Sequence, residues 1–216
     1  MAQPVAFITG VAGFAGSWLA EELLAHGYRV VGSRYKNEPI SNLHACRHDV
    51  QLVALDILKP DQVLRQLKDL SPTHIFHLAA LAAVGKSFEA ERATYDVNFI
   101  GTLHVLRAAR EVRGLEKVVC VSSSDAYGLI PQKTKTLTEA QPLAPVSPYG
   151  ISKAAAEFLC VSYVRRTGLP VTLARSFNHS GPRQAEDFVI PDFARQVAAI
   201  ELGQQRPVMK TGNLSP

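Results

Sequence analysis

The stretch ITGVAGFAGS, residues 8–17, decides the fold. It sets Gly10, Gly13 and Gly16 three residues apart, after a strand-like apolar run (Val5 to Thr9) and at the mouth of a helical one (Phe14 to His26). Glycine answers a geometric need there. The turn requires unusual dihedrals, the backbone must approach a pyrophosphate, and the helix must pack closely on the strand. A helix beginning at such a turn also directs N–H groups and the positive end of its dipole at an anion. Glycines so spaced can mark a bare tight turn. Their place between strand and helix argues for a phosphate site at Gly10, Gly13, Phe14, Ala15 and Gly16.

Outward from that turn, short apolar runs alternate with amphipathic helical stretches. Strands are expected at Arg29 to Ser33, Gln51 to Leu55, His74 to His77, Lys117 to Ser122 and Pro170 to Arg175. Helices are expected at Asp61 to Leu70, Tyr95 to Arg113, Pro148 to Thr167 and Phe188 to Leu202, with Gly27, Gly114 and Gly168 following helices as left-handed caps. The pattern predicts an α/β, Rossmann-type doubly wound parallel sheet buried on both faces. Residues 1–175 read as the nucleotide-binding domain and 176–216 as the start of a small substrate part. Leu129 to Pro148, rich in Pro, Thr and Lys, reads as a loop over the carboxyl edge of the sheet, where ligands bind.

The 216 residues are 47% hydrophobic and 19% charged, which suits one core and part of a second and excludes disordered or fibrous classes. Net charge is +4, but Lys and Arg are scattered and form no stripe, so no nucleic-acid partner is expected. Cys46, Cys120 and Cys160 lie far apart without metal-ligand spacing, so no metal is expected and a reducing, cytoplasmic setting fits. The amino terminus enters a strand without a basic leader, and no apolar run reaches the roughly 18 residues of a membrane span. No membrane association is expected.

Cofactor choice turns on the end of the second strand, VVGSRYKNEP. A carboxylate there would suit the ribose of NAD. This chain instead has Ser33 and Arg34, and a guanidinium can grip the 2′-phosphate of NADP, although Arg34 can equally be a solvated surface residue. Asp56, followed by Ile57, closes the third strand where a carboxylate can accept from an adenine amino group; an Asp at a strand end is also an ordinary turn residue.

SPYGISK, residues 147–153, sets Tyr149 and Lys153 four apart on one helix face. A phenol is a poor base at neutral pH, and a neighbouring ammonium is expected to favour the phenolate. The pair alone is a weak signal. SSSDAYG, residues 122–128, adds hydroxyls at the end of the fifth strand, where one can hold a carbonyl or alcohol beside the phenol.

Together with FHLAA (76–80), NFIGT (98–102) and RSFNHSGPRQ (175–184), these motifs resemble the extended short-chain dehydrogenase/reductase family across essentially the whole chain. The resemblance implies Ser123 as the substrate-orienting hydroxyl, Tyr149 as acid/base, and Lys153 as its modulator and a ligand of the nicotinamide ribose. It places Leu78, Ala79 and Ala80 beside the cofactor and Asn98 in support of the site. RSFNHSGPRQ followed by DFVIPDFARQ is similar to the branch acting on GDP-linked 4-keto-6-deoxymannose, implying Asn178, Arg183 and Val189 at the substrate. His179 is assigned no chemistry. The resemblance favours an NADPH-dependent reductase of that keto sugar. The rival within the family is GDP-mannose 4,6-dehydratase, which is expected to carry Glu where this chain has Asp125 and Gln-Asp where it has Phe14-Ala15. A nucleotide-sugar 4-epimerase and a non-catalytic NADP sensor or scaffold stand behind these. The chain stops at GNLSP, where members of the family continue into elements closing the nucleotide pocket, and its two long helices resemble those of a family homodimer.

Overall fold

The computed structural model describes residues 3–130 and 136–212. Six strands run β1 (Val5–Thr9), β2 (Arg29–Arg34), β3 (Val50–Ala54), β4 (His74–His77), β5 (Lys117–Ser123) and β6 (Val171–Ser176). All pair in parallel in the order β3-β2-β1-β4-β5-β6. The order reverses between β1 and β4, and a crevice at their carboxyl ends is the ligand position of such sheets.

Side-chain alternation explains why both faces are covered. On β1, Ala6 and Ile8 join one core cluster with Val30 and Leu43, while Phe7 joins the other with Val31, Ile75 and Val118. Helices α1 (Phe14–Ala25), α2 (Pro60–Leu70), α3 (Val84–Ser87), α4 (Glu91–Tyr95), α5 (Gly101–Ala109) and α6 (Pro148–Thr167) complete the layers. Gly168 closes α6 in the left-handed conformation, as expected, and Gly27 and Gly114 also have positive φ.

The helix expected at Tyr95 to Arg113 differs. It starts at Glu91, passes through a wide turn over Asp96–Ile100, and ends at Ala109. Its apolar period runs on because Val112 is still buried after the helical hydrogen bonds have stopped. In the expected loop, Gly128 bridges Ala144, and residues 131–135 lie outside the described part.

The chain divides into two compact units, residues 1–178 and 179–216. In the second, α7 (Val189–Glu201) carries the buried Gln196, which donates to the Lys210 carbonyl at 3.0 Å and accepts the Lys210 N–H at 2.7 Å. Among the described residues no helix is long and apolar enough to cross a membrane.

Candidate active site

The glycine turn has the geometry its residues require. Gly10 has φ +71°, and a Cβ there would stand 3.0 Å from the Ala79 Cα. A Cβ on Gly16 would come within 2.3 Å of the Gly10 carbonyl oxygen, so α1 can approach β1 only without a side chain. Phe14 and Ala15 head α1, whose ladder bond at this end runs from Ser17 N–H to the Gly13 carbonyl at 3.0 Å. The turn therefore fits a dinucleotide diphosphate: bare backbone, a helix start and close packing against the Leu78–Ala80 segment. Leu78 and Ala79 both donate their N–H to the Thr9 hydroxyl at 3.1 Å, which pins that segment to β1.

The adenosine side is mixed. Arg34 ends β2, half-buried, with one guanidinium nitrogen donating to the Glu38 carbonyl at 3.4 Å, a long bond that a phosphate can displace. Asp56 Oδ1 accepts the Leu58 N–H at 3.0 Å, the ordinary turn role of such a residue. The Ile57 side chain is core, lying against Gly101, and its carbonyl accepts from the His104 ring at 2.9 Å, so any cofactor contact falls to its backbone.

Ser123 ends β5, and its hydroxyl caps the following turn by accepting the Asp125 N–H at 3.2 Å. Ser147 caps α6 by accepting the Gly150 N–H at 3.0 Å, and Pro148 pre-sets the first turn. Gly150 allows that helix end to lie on the Asp125 backbone, since a Cβ would meet the Asp125 oxygen at 2.7 Å. Tyr149 and Lys153 are thereby placed against Ser123, all three buried.

Their electrostatics depart from expectation. Burial pushes the Tyr149 phenol up; a hydrogen bond with Ser123 opposes this, and the Asp125 charge adds to it. The Lys153 ammonium does not counter that rise, because Nζ donates to the Val121 carbonyl at 2.8 Å and stands 5.9 Å from the centre of the phenol ring. Tyr149 is thus a neutral acid at pH 7 rather than a phenolate. Burial lowers Lys153 itself from 10.5 to about 8.

Several participants escape a reading of the motifs. Ser122 is committed elsewhere, donating to Glu157 in a very short bond. Glu157 also binds Arg175 through both carboxylate oxygens, tying α6 to β6, and the guanidinium lies 4.6 Å over the Tyr127 ring. Tyr149, Lys153 and Glu157 recur at intervals of four, so helical spacing carries the signal for Glu157. The Asn98 amide donates to the Ser152 hydroxyl on α6 at 2.9 Å. Asn178 is exposed at the end of the first unit. Arg183 takes φ +77° in a Gly181–Gln184 turn, and Val189 opens α7 60% exposed. Among the described residues no group of His, Cys, Asp and Glu is arranged to hold a metal ion.

A parallel sheet with this strand order, a glycine turn at its switch point and a serine facing a Tyr-Lys helix is the construction of the extended short-chain dehydrogenases/reductases. The chain belongs to the GDP-mannose 4,6 dehydratase family, whose model matches residues 7–216. It is 36% identical over 213 residues to a GDP-mannose 4,6-dehydratase of Yersinia enterocolitica, covering 92% of this chain and 56% of that one. It is 32% identical over 209 residues to the GDP-6-deoxy-D-mannose reductase of Pseudomonas aeruginosa, covering 96% and 63%. The structure of RMD from P. aeruginosa complexed with NADPH superposes with a TM-score of 0.78 at 30% identity, covering 98% of this chain and 65% of the other. The chain thus spans less than two thirds of the length of these relatives.

Proposed function

We propose that the protein is an NADP(H)-dependent nucleotide-sugar oxidoreductase that reduces GDP-4-keto-6-deoxy-D-mannose at C4. The observation that carries this reading is the placement of the buried Tyr149 and Lys153, four apart on α6, against the buried Ser123 at the carboxyl end of β5. A ketone reduction needs a proton donor at the new alkoxide, and an acid held protonated at pH 7 supplies one. The NADPH-bound RMD of P. aeruginosa supports the cofactor, and the reductase of that organism supports the substrate.

Residues 1–175 hold the cofactor and 176–216 begin the substrate part. Gly10, Gly13, Phe14, Ala15 and Gly16 cradle the diphosphate, Arg34 takes the 2′-phosphate, Asp56 and Ile57 line the adenine side, and Leu78, Ala79 and Ala80 flank the ribose. The reduced nicotinamide, when bound, supplies the hydride. Ser123 donates to the substrate carbonyl and orients it, Tyr149 protonates the oxygen at C4, and Lys153 would hold the nicotinamide ribose beside them. Asn178, Arg183 and Val189 contact the GDP-sugar.

The dehydratase is the second reading, favoured by the family model and the 36% identity to the Yersinia enzyme. That reaction also removes a proton from C5 and expels the C6 hydroxyl. Asp125, half-buried with its backbone N–H donating to the Ser123 hydroxyl, is the acid nearest this task, but it is one methylene, about 1.5 Å, shorter than the Glu expected of a dehydratase. Incubating the full-length protein with GDP-mannose and with its 4-keto-6-deoxy product, each with NADPH or NADP+, separates the two. Net NADPH loss with the keto sugar alone supports the reductase, and turnover of GDP-mannose without net cofactor change overturns it.

We further place the protein in the cytoplasm as a homodimer. Three buried cysteines without metal-ligand spacing suit a reducing compartment. Ile151, Phe158, Val161 and Val164 leave an apolar row exposed on α6, which suits a helix-on-helix contact between two copies. Size-exclusion mass measurement on Phe158→Lys should give a monomer; an unchanged dimer would contradict the placement.

A further inference from the structure

A buried chain of hydrogen bonds runs from the glycine turn to the catalytic helix, and its proton positions follow from counting. The Thr9 hydroxyl accepts from Ala79 and, shared with the Thr9 carbonyl at 3.3 Å, from Leu78, so its lone pairs face these two N–H groups. Its one proton therefore goes to His77 Nδ1, 2.8 Å away. His77 then carries its own proton on Nε2 and donates it to Thr102 Oγ1 at 2.9 Å. Thr102 donates to the Asn98 carbonyl at 2.6 Å. The Asn98 amide accepts the Leu81 N–H at 2.8 Å and donates to the Leu81 carbonyl at 3.1 Å and to Ser152 Oγ at 2.9 Å. The Ser152 proton goes to the Tyr149 carbonyl at 2.6 Å.

Every side chain in this chain, Thr9, His77, Thr102, Asn98 and Ser152, is 5% exposed or less. Burial, with the Lys153 charge in support, lowers the imidazole to about 3, so it stays neutral throughout the working range. A neutral imidazole with one donor and one acceptor nitrogen is the single side chain here that satisfies hydroxyls on both sides at once. Apolar residues would fill the same space without fixing it, whereas a fully satisfied network specifies one arrangement.

We propose that His77 is a positioning residue: through its two ring nitrogens it locks the Leu78–Leu81 segment and the Asn98 turn together, and so holds the Tyr149 helix in register with the segment facing the dinucleotide. The mechanistic half of this rests on the NADP reading above; the positional half rests on geometry alone.

Two variants cut the chain at different points. His77→Asn keeps an acceptor where Nδ1 stood but does not reach Thr102. His77→Gln keeps a donor near Nε2 but leaves Thr9 without its acceptor. In the apo protein, His77→Gln should speed amide exchange at Leu78 and Ala79, and His77→Asn should speed it at Leu81. With substrate, His77→Asn should lower kcat about tenfold with NADPH affinity nearly unchanged, while His77→Gln should weaken NADPH binding about tenfold with kcat at saturation retained. In the wild type, long-range ¹⁵N–¹H correlation should show a neutral imidazole protonated at Nε2. An Nδ1–H tautomer, or two variants that lose kcat, NADPH affinity and amide protection in parallel, would overturn the proposal. If the wild type fails to bind NADPH, the cofactor reading falls, and the tautomer and the exchange pattern still decide the position of His77.

Discussion

Replacing Lys153 with Met should stabilise the fold while removing its chemistry. Burial lowers the ammonium from 10.5 to about 8. At about 1.4 kcal/mol per tenfold change in proton affinity, holding the charged form inside costs roughly 3 kcal/mol at neutral pH. Methionine has a similar length and no charge, but it gives up the Nζ bond to the Val121 carbonyl, about 1–2 kcal/mol. The net gain is then about 1–2 kcal/mol, or roughly 2–8 °C in Tm for a chain of this size. The sign depends on pH. Below 8 both the folded and the unfolded chain hold the proton, and the cost of burial is complete. Between about 8 and 10.5 the unfolded chain holds more protons than the folded one, so native stability rises with pH and the burial cost fades. Urea unfolding of both proteins near neutral pH and again above about 10.5 reads this directly. The variant should be the more stable near neutral pH and the less stable at the high pH. A variant less stable near neutral pH, or a difference independent of pH, would refute the reasoning.

If Tyr149 is the proposed proton donor, Tyr149→Phe should lower turnover by about 10²–10⁴ with Tm unchanged, since the ring still supplies the packing; a loss under tenfold would remove Tyr149 from the acid role. Glu157→Ala strips the partner from the half-buried Arg175 and from the buried Ser122, and should cost about 2–3 kcal/mol in denaturant unfolding. Arg34→Ala should weaken NADPH about 10–100-fold while leaving NADH binding within about threefold, measured by fluorescence titration. Arg183→Gly, at a left-handed turn position that glycine adopts freely, should raise the KM for the GDP-sugar; an unchanged KM would remove Arg183 from the substrate site.

Much of this was legible because local chemistry and global topology agree. The β1 boundaries and the start of α1 follow from an apolar run meeting glycines that backbone geometry demands, and no tertiary contact competes with that signal. The long α6 is announced at both ends, by Ser147-Pro148 and by Gly168. The break over Asp96–Ile100 was hidden, because a wide turn keeps the helical apolar period while shifting its register around Asn98 and Thr102. The site shows the same division. Tyr149, Lys153 and Ser123 carry spacing and strand-end position. The neutral phenol was not legible, since it depends on where Nζ points, and Nζ is drawn off by a carbonyl on β5. His77, Thr9 and Thr102 read as ordinary core positions until the fold brings residues 68 and 25 apart in sequence to within hydrogen-bond distance.

The central claim is that Tyr149 and Ser123 serve a net reduction at C4. Deuterium tracing from labelled NADPH tests it most directly. With GDP-4-keto-6-deoxy-D-mannose, the account expects deuterium at C4 of the product and one NADPH consumed per sugar. Dehydration of GDP-mannose with the cofactor regenerated in each turnover, and no label transferred to the keto sugar, would contradict it.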